Sequence, residues 1–138
     1  MDTNNKGLSI IFHSSSYDRV YHGLSIALAA LAMGREAKFF FTYWALRGLK
    51  KDTYTLFKLD KEAEDYRELL EKNIKKGHML SLSELLTQAK RMGAKVYACT
   101  SSMGFLNISR DELIDEVDKS MGITTFLSEA KDDQILFI

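Results

Sequence analysis

Cys99 is the single cysteine of this chain, and its sulfur is the strongest nucleophile candidate in the sequence. It follows the apolar run Val96-Tyr97-Ala98 and precedes the small polar stretch Thr100-Ser101-Ser102-Met103-Gly104. A capping box, Ser109-Arg110-Asp111-Glu112, follows and predicts a helix start with Leu113, Ile114 and Val117 turned inward. Strand, loop and helix in that order put the sulfur at the carboxyl end of a strand. Open α/β sheets bind their ligands at that edge. The reactive form of a thiol is the thiolate. An ordinary cysteine, with a pKa of about 8.5, is only partly ionised at neutral pH, and amide donors favour the ionised form. No carboxylate lies between Cys99 and Asp111 to oppose that charge. The amides and hydroxyls of Thr100, Ser101 and Ser102 are the candidate donors, with Met103 beside them. A buried cysteine also serves as a small hydrophobe. Spacing alone leaves both roles open.

Two further groups fall at the same edge. Ser14, Ser15 and Ser16 follow the first apolar run, Leu8 to Phe12. Their hydroxyls and amides suit a small anion, while Ser16 is equally placed to cap the next helix. Tyr43 and Trp44, with Arg47, follow the second apolar run and either wall the same crevice or pack in a core or interface. No G-x-G-x-x-G follows the first strand and no G-x-x-x-x-G-K-[ST] occurs, so dinucleotide and P-loop chemistry lack their motifs. His13, His22 and His78 are scattered, without the close ligand pair a zinc site draws on. No metal and no cofactor are expected.

The elements that must position these groups alternate along the chain. Leu8 to Phe12 reads as a buried strand. Tyr17 to Met33 reads as a helix with Val20, Leu24, Ala27, Leu28 and Leu31 on one face, and Ile26, Ala29 and Met33 on the other. A helix apolar on two faces can cover a sheet with one and meet a second subunit with the other. Ala37 to Thr42, with three consecutive phenylalanines, predicts a strand covered on both faces, continued by Tyr43-Trp44. Tyr54 to Leu59 fits an irregular insert or a short strand. Asp60 caps a charged helix to about Lys75, with a stripe of Ala63, Tyr66, Leu70 and Ile74. Ser81-Leu82-Ser83-Glu84 is another capping box, opening a helix with Leu82, Leu85, Leu86, Ala89 and Met92 inward. Lys95 to Ala98 then delivers Cys99. A short strand falls within Asp118 to Gly122, a helix over Ile123 to Ala130 with Ile123, Phe126 and Leu127 inward, and a last strand over Ile135 to Ile138. This alternation predicts an α/β domain, a mostly parallel sheet of about five strands with helices on both faces.

Composition sets limits. The 138 residues, 46% hydrophobic and 28% charged, fit one domain spanning 1–138. Nineteen basic and 19 acidic side chains give zero formal charge, which argues against electrostatic binding to nucleic acid or anionic lipid and leaves self-association unopposed. A single cysteine excludes an internal disulfide and fits a reducing compartment. The polar start is unlike a signal peptide, and Gly23 to Met33 is too short to span a bilayer. A cytoplasmic setting is expected.

Three stretches resemble the DsrE/DsrF/DsrH-like sulfur-carrier family, in its branch labelled peroxiredoxin-like. They are Glu36 through Phe39-Phe40-Phe41 to Leu46, Ser83 through Cys99-Thr100-Ser101-Ser102-Met103 to Glu112-Leu113-Ile114-Asp115, and Gly122 to Leu127 with Ile135-Leu136-Phe137-Ile138. The stretch from Asp52 to His78 departs from the glycine-rich insert expected there. The proline–threonine pattern of peroxidase cysteines is also missing, so peroxidase activity is not implied. The resemblance implies a flavodoxin- or Rossmann-like three-layer domain, a homo-oligomer such as a trimer, and Cys99 carrying sulfur as a persulfide between donor and acceptor proteins, a carrier more than a multiple-turnover enzyme. Thr100 to Met103 would then shape the pocket. Two alternatives stand beside this. One is a non-catalytic module holding a small anion or nucleotide between the His13–Tyr17 and Cys99 loops. The other is a structural oligomer subunit with an inert cysteine.

Overall fold

Five short strands pair side by side and all in parallel. The computed structural model describes residues 6–52 and 59–138. In chain order these hold β1 (Leu8–Phe12), α1 (Tyr17–Ala32), β2 (Ala37–Phe41), α2 (Tyr43–Arg47) and a 3-10 segment (Lys61–Tyr66) that runs into α3 (Arg67–Lys75). There follow α4 (Leu82–Arg91), β3 (Lys95–Cys99), α5 (Thr100–Phe105), one 3-10 turn (Arg110–Glu112), β4 (Lys119–Met121), α6 (Ile123–Glu129) and β5 (Gln134–Phe137). The sheet order is β4-β3-β2-β1-β5. In register, Phe12 lies opposite Phe41, Phe41 opposite Ala98, and Cys99 opposite Met121.

This order explains the layers. The chain steps from β1 to β4 in one direction, then returns across the whole sheet to lay β5 on the free side of β1. Right-handed crossovers put the helices of the outward steps on one face and the returning α6 on the other. The first face carries the large core: Leu8, Ile10, Phe12, Phe39, Phe41, Val96 and Ala98 meet Val20, Leu24 and Ala27 of α1 and Leu82, Leu85, Leu86 and Ala89 of α4. The second face carries a smaller one, in which Phe40, Tyr97, Cys99 and Met121 of the sheet meet, among the described residues, Phe126 and Ala130 from the α6 segment. The result is a three-layer α/β/α domain.

Local signals act as their chemistry dictates. Ser81 Oγ accepts from the Glu84 amide at 3.2 Å and Glu84 Oε2 accepts from the Ser81 amide, so that capping box is complete. Gly23 lets α1 lie close on the sheet, because a Cβ there would meet Phe12 Cε1 at 2.5 Å and Ile138 Cδ1 at 2.9 Å. Beneath the sheet's amino edge, Asp133 accepts from Lys38 Nζ at 2.8 Å and Ser9 Oγ at 2.7 Å. Among the described residues no helix is long and apolar enough to cross a membrane.

Several expectations need correction. Tyr43 and Trp44 do not extend β2; they open α2, with Thr42 as its N-cap. Thr100 to Gly104 is helix, because β3 passes into α5 with Cys99 itself as the N-cap residue. Ser109 forms its capping box, yet only one 3-10 turn follows, because the Lys51 amide bonds Glu112 O and Lys50 bridges to Leu113. Leu113, Ile114 and Val117 are still buried. On α6 only Phe126 points inward; Ile123 and Leu127 are exposed. The charged helix after Asp60 is split, 3-10 then α, and none of its residues is buried; Tyr66 is exposed. Asp60 makes no cap bond there and pairs with Arg19. Met92 is the C-cap of α4 and is exposed. The reading of Tyr54 to Leu59 falls, apart from Leu59, outside the described residues.

Candidate functional site

Cys99 is the last residue of β3 and the N-cap of α5, at the carboxyl edge of the sheet. Strand alternation turns its side chain to the second face, as it does that of Tyr97 two residues before. The sulfur joins Phe40, Tyr97, Met121, Phe126 and Ala130, and Cys99 is 7% exposed. A phenol in that surrounding is held neutral: burial, with the Glu129 carboxylate beside it, pushes Tyr97 up to about 12. Gly122 leads from β4 into α6 next to the α5 start, where a Cβ would stand 3.8 Å from Thr100 Oγ1.

The residues after Cys99 divide by helix geometry. Thr100 and Ser101 are exposed on the first turn of α5. Ser102 is fully buried, and its Oγ accepts from the Tyr43 amide at 2.9 Å. Met103 packs on the first-face core. Of the four, only Thr100 and Ser101 keep their side chains open at the edge. Ser102 instead ties the β2–α2 turn to α5.

That tie holds Tyr43 in an unusual backbone state. Its φ is 46°, the left-handed region that side chains other than glycine rarely occupy. The ring lies 4.6 Å from His13 and 5.0 Å from Phe105, and Trp44 contacts both Tyr43 and Phe105. His13 in turn lies 5.4 Å from Phe137 at the end of β5. Tyr43, Trp44, Phe105 and Phe137 are between 44% and 68% exposed. The two aromatics read from the sequence are therefore neither core nor isolated. They belong to an open aromatic rim along the carboxyl edge, whose members His13, Phe105 and Phe137 are brought together only by the parallel pairing.

The serine loop is occupied by its own bonds. The amides of His13 and Ser14 both donate to Ile138 O, at 2.7 and 3.2 Å. The Ser16 amide donates to Ser14 Oγ, and Ser16 Oγ donates to Asp18. Ser16 is the N-cap residue of α1, without a side-chain cap bond. Ser15 is exposed. These amides are not free for an anion in this arrangement, so the loop closes β5 against β1 instead. Cys99 and the loop also stand apart. His13 directly follows β1 and Cys99 ends β3, with β2 between those strands, about 10 Å across the sheet at the usual strand spacing. The reversal of strand order lies between β1 and β5, where a groove of about 710 Å³ is lined by Asp18, Arg19, His22 and Phe137 among others. Cys99 is not part of that groove. Among the described residues no group of three or more His, Cys, Asp or Glu could hold a metal ion.

Comparisons with known proteins agree with this geometry. A sequence model of the DsrE/DsrF/DrsH-like family matches residues 4–65 and 60–138. The chain is 28% identical to the Bacillus subtilis (strain 168) protein named "Uncharacterized protein YrkE", over all of both chains. Its fold is similar to those of ychN from E. coli (TM-score 0.66, 14% identity, 96% of this chain and 99% of that one) and BT1422 from Bacteroides thetaiotaomicron (TM-score 0.66, 12% identity, 100% and 99%). MTH1491 from Methanobacterium thermoautotrophicum is a third (TM-score 0.64, 13% identity, 96% and 99%).

Proposed function

Because the chain belongs to the DsrE/DsrF/DrsH-like family, we propose that it is a sulfur-relay protein that carries sulfane sulfur as a persulfide on Cys99. The Cys99 thiolate attacks the outer sulfur of a donor persulfide. The donor S–S bond breaks, the donor leaves as its thiolate, and a new S–S bond forms on Cys99. An acceptor thiolate then attacks that outer sulfur and releases the Cys99 thiolate. The sulfane sulfur keeps its oxidation level throughout, so neither step needs an oxidant or a reductant. A lone cysteine suits this exchange, because an internal dithiol cycle needs two.

The observation that carries the reading is the position of Cys99, at the end of β3 and at the N-cap of α5. Thiol exchange requires access as well as thiolate. The half-exposed rim of Tyr43, Trp44 and Phe105, with Thr100 and Ser101, gives donor and acceptor proteins a surface at that edge. The domain, 1–138, works as a homo-oligomer, a trimer, in a cytoplasmic setting. Ile123 and Leu127 on α6 and Met33 on α1 are exposed apolar side chains that support self-association. The test is intact mass after incubation with thiosulfate or a small persulfide donor. A gain of one sulfur, removed by reductant and absent from Cys99→Ser, is expected. No gain, or an equal gain in Cys99→Ser, overturns the reading.

A further inference from the structure

The two edges of the sheet are finished differently. At one end, β4 is three residues long and begins with Lys119, a charge that discourages pairing with another chain. At the other end, β5 reads Gln134-Ile135-Leu136-Phe137 and carries neither a formal charge nor a proline. The register fixes which of its backbone groups are free. The Gln134 amide donates to Gly7 O, the Ile138 amide donates to Ile11 O, and Ile138 O accepts from the His13 amide. Alternation along the strand then turns the N–H and C=O of Ile135 and Phe137 away from β1. Among the described residues no strand pairs with that outer side.

Both faces beside this edge are open. On the second face, Ile135 and Phe137 are 42% and 68% exposed. On the first face, the groove of about 710 Å³ lies between α1 and β5. Ile26, Leu136 and Ile138 give it apolar walls, and Asp18, Arg19 and His22 line it at the start of α1. Arg19 is already paired with Asp60 at 3.2 Å. Asp18 accepts from the Ser16 hydroxyl and has no basic partner among the described residues. With His22 neutral, Asp18 and Asp60 outnumber Arg19, and that end of the groove is left negative. A second β5 laid on this edge brings no basic side chain within the strand to answer that charge. An edge strand with a groove between it and a flanking helix suits an extended peptide. Main-chain bonds hold such a peptide, and the pockets beside the edge select its alternate side chains.

We propose that the β5 edge and the α1–β5 groove form a docking site for an extended segment of a partner protein, apolar at alternate positions and carrying a basic side chain that meets Asp18. The segment adds to the sheet as one more strand, bonded to the outward groups of Ile135 and Phe137. Its side chains on one face enter the groove against Ile26, Leu136 and Ile138, and those on the other cover Ile135 and Phe137. β1 and β2 stand between this site and the strand of Cys99, so the docking does not rest on the sulfur-relay reading.

The experiment is fluorescence anisotropy of short labelled peptides of alternating valine and threonine, ended by lysine, glutamine or glutamate, titrated with the full chain. The lysine peptide is expected to bind at least about tenfold more tightly than the glutamate peptide, and Asp18→Asn to remove that preference. Ile135→Pro removes an outward N–H and no bond to β1, at a place where an edge strand accepts proline. It is expected to weaken binding by about tenfold. Hydrogen exchange of the Ile135 and Phe137 amides in the wild type is expected to slow on saturation with the lysine peptide, which decides the matter even where the proline variant folds poorly. No binding by any of these peptides overturns the proposal. So does binding indifferent to the end charge, or binding that leaves the two amides unprotected. A homo-oligomer that Ile135→Pro splits, with no peptide bound, gives the edge to a second copy and overturns it too.

Discussion

Gly23 faces Phe12 so closely that a methyl group on its α-carbon would stand 2.5 Å from the Phe12 ring. Phe12 cannot yield, because it is fully buried and packed on Phe39 and Phe41. Glycine inside a helix costs about 1 kcal/mol relative to alanine. Overpacking a closed core costs about 1–3 kcal/mol. Gly23→Ala therefore lowers the unfolding free energy despite its better helix propensity. A higher denaturation midpoint in Gly23→Ala would show that α1 is free to move away.

At Tyr43 the balance of propensities inverts. Its left-handed φ costs an L side chain about 1–2 kcal/mol that glycine does not bear. Tyr43→Ala loses the ring contacts and keeps the strain; Tyr43→Gly loses the ring and the strain together. Urea unfolding is expected to rank Tyr43→Gly above Tyr43→Ala by about 1 kcal/mol, although residue 43 lies in a helix. The opposite ranking would mean that the turn relaxes once the ring is gone.

Asp118 gives the domain an acid-sensitive clamp. Burial raises its pKa, but the Lys90 ammonium at 2.6 Å, the Val96 amide at 2.7 Å and the Lys90 and Lys95 charges outweigh it and hold the carboxyl below its ordinary value. A depressed folded pKa means stability that is complete above the unfolded value, about 3.9, and lost as pH falls through the folded value. Asp118→Asn is expected to lose about 1.5–3 kcal/mol at neutral pH and to show a shallower acid limb below pH about 4. Thermal unfolding at pH 7 and across the acid range measures both. Equal acid limbs in the two proteins would remove Asp118 from the account.

At the opposite edge, Asp133→Ala leaves the mostly buried Lys38 ammonium and the fully buried Ser9 hydroxyl without their shared acceptor. Removing one member of a buried pair costs about 3–5 kcal/mol. The loss is expected in equilibrium unfolding, and Lys38→Met with Asp133→Leu together should restore much of it. Failure of the double variant to recover would show that Asp133 acts through the β5 turn instead.

Much of this structure is legible in the sequence. The strands at Leu8, Ala37 and Lys95 and the helices α1 and α4 follow from apolar period and from caps such as Ser81–Glu84. The cysteine's strand-end position follows from the run Val96-Tyr97-Ala98. What the sequence hides is set by the order of strands. The return of β5 to the far side of β1 makes α6, among the described residues, the one helix on the second face, and Ile123 and Leu127 stay exposed there. The same return carries Ile138 O onto the His13 and Ser14 amides, which local composition marks as a free polar loop. Tyr43 reads as a strand continuation because its left-handed turn is fixed by the bond its amide donates to Ser102, 59 residues away. The burial of Cys99 likewise depends on Phe126, a long-range neighbour.

The proposed relay has one sulfur atom travelling on Cys99. It is tested most directly by following intact mass through one load and one release. The protein is charged with a persulfide donor, freed of it, and then given an acceptor thiol. A gain of one sulfur atom confined to Cys99 is expected, followed by return to the starting mass as the acceptor gains that sulfur. An unchanged mass on loading, or a sulfur that also loads Cys99→Ser, would contradict it.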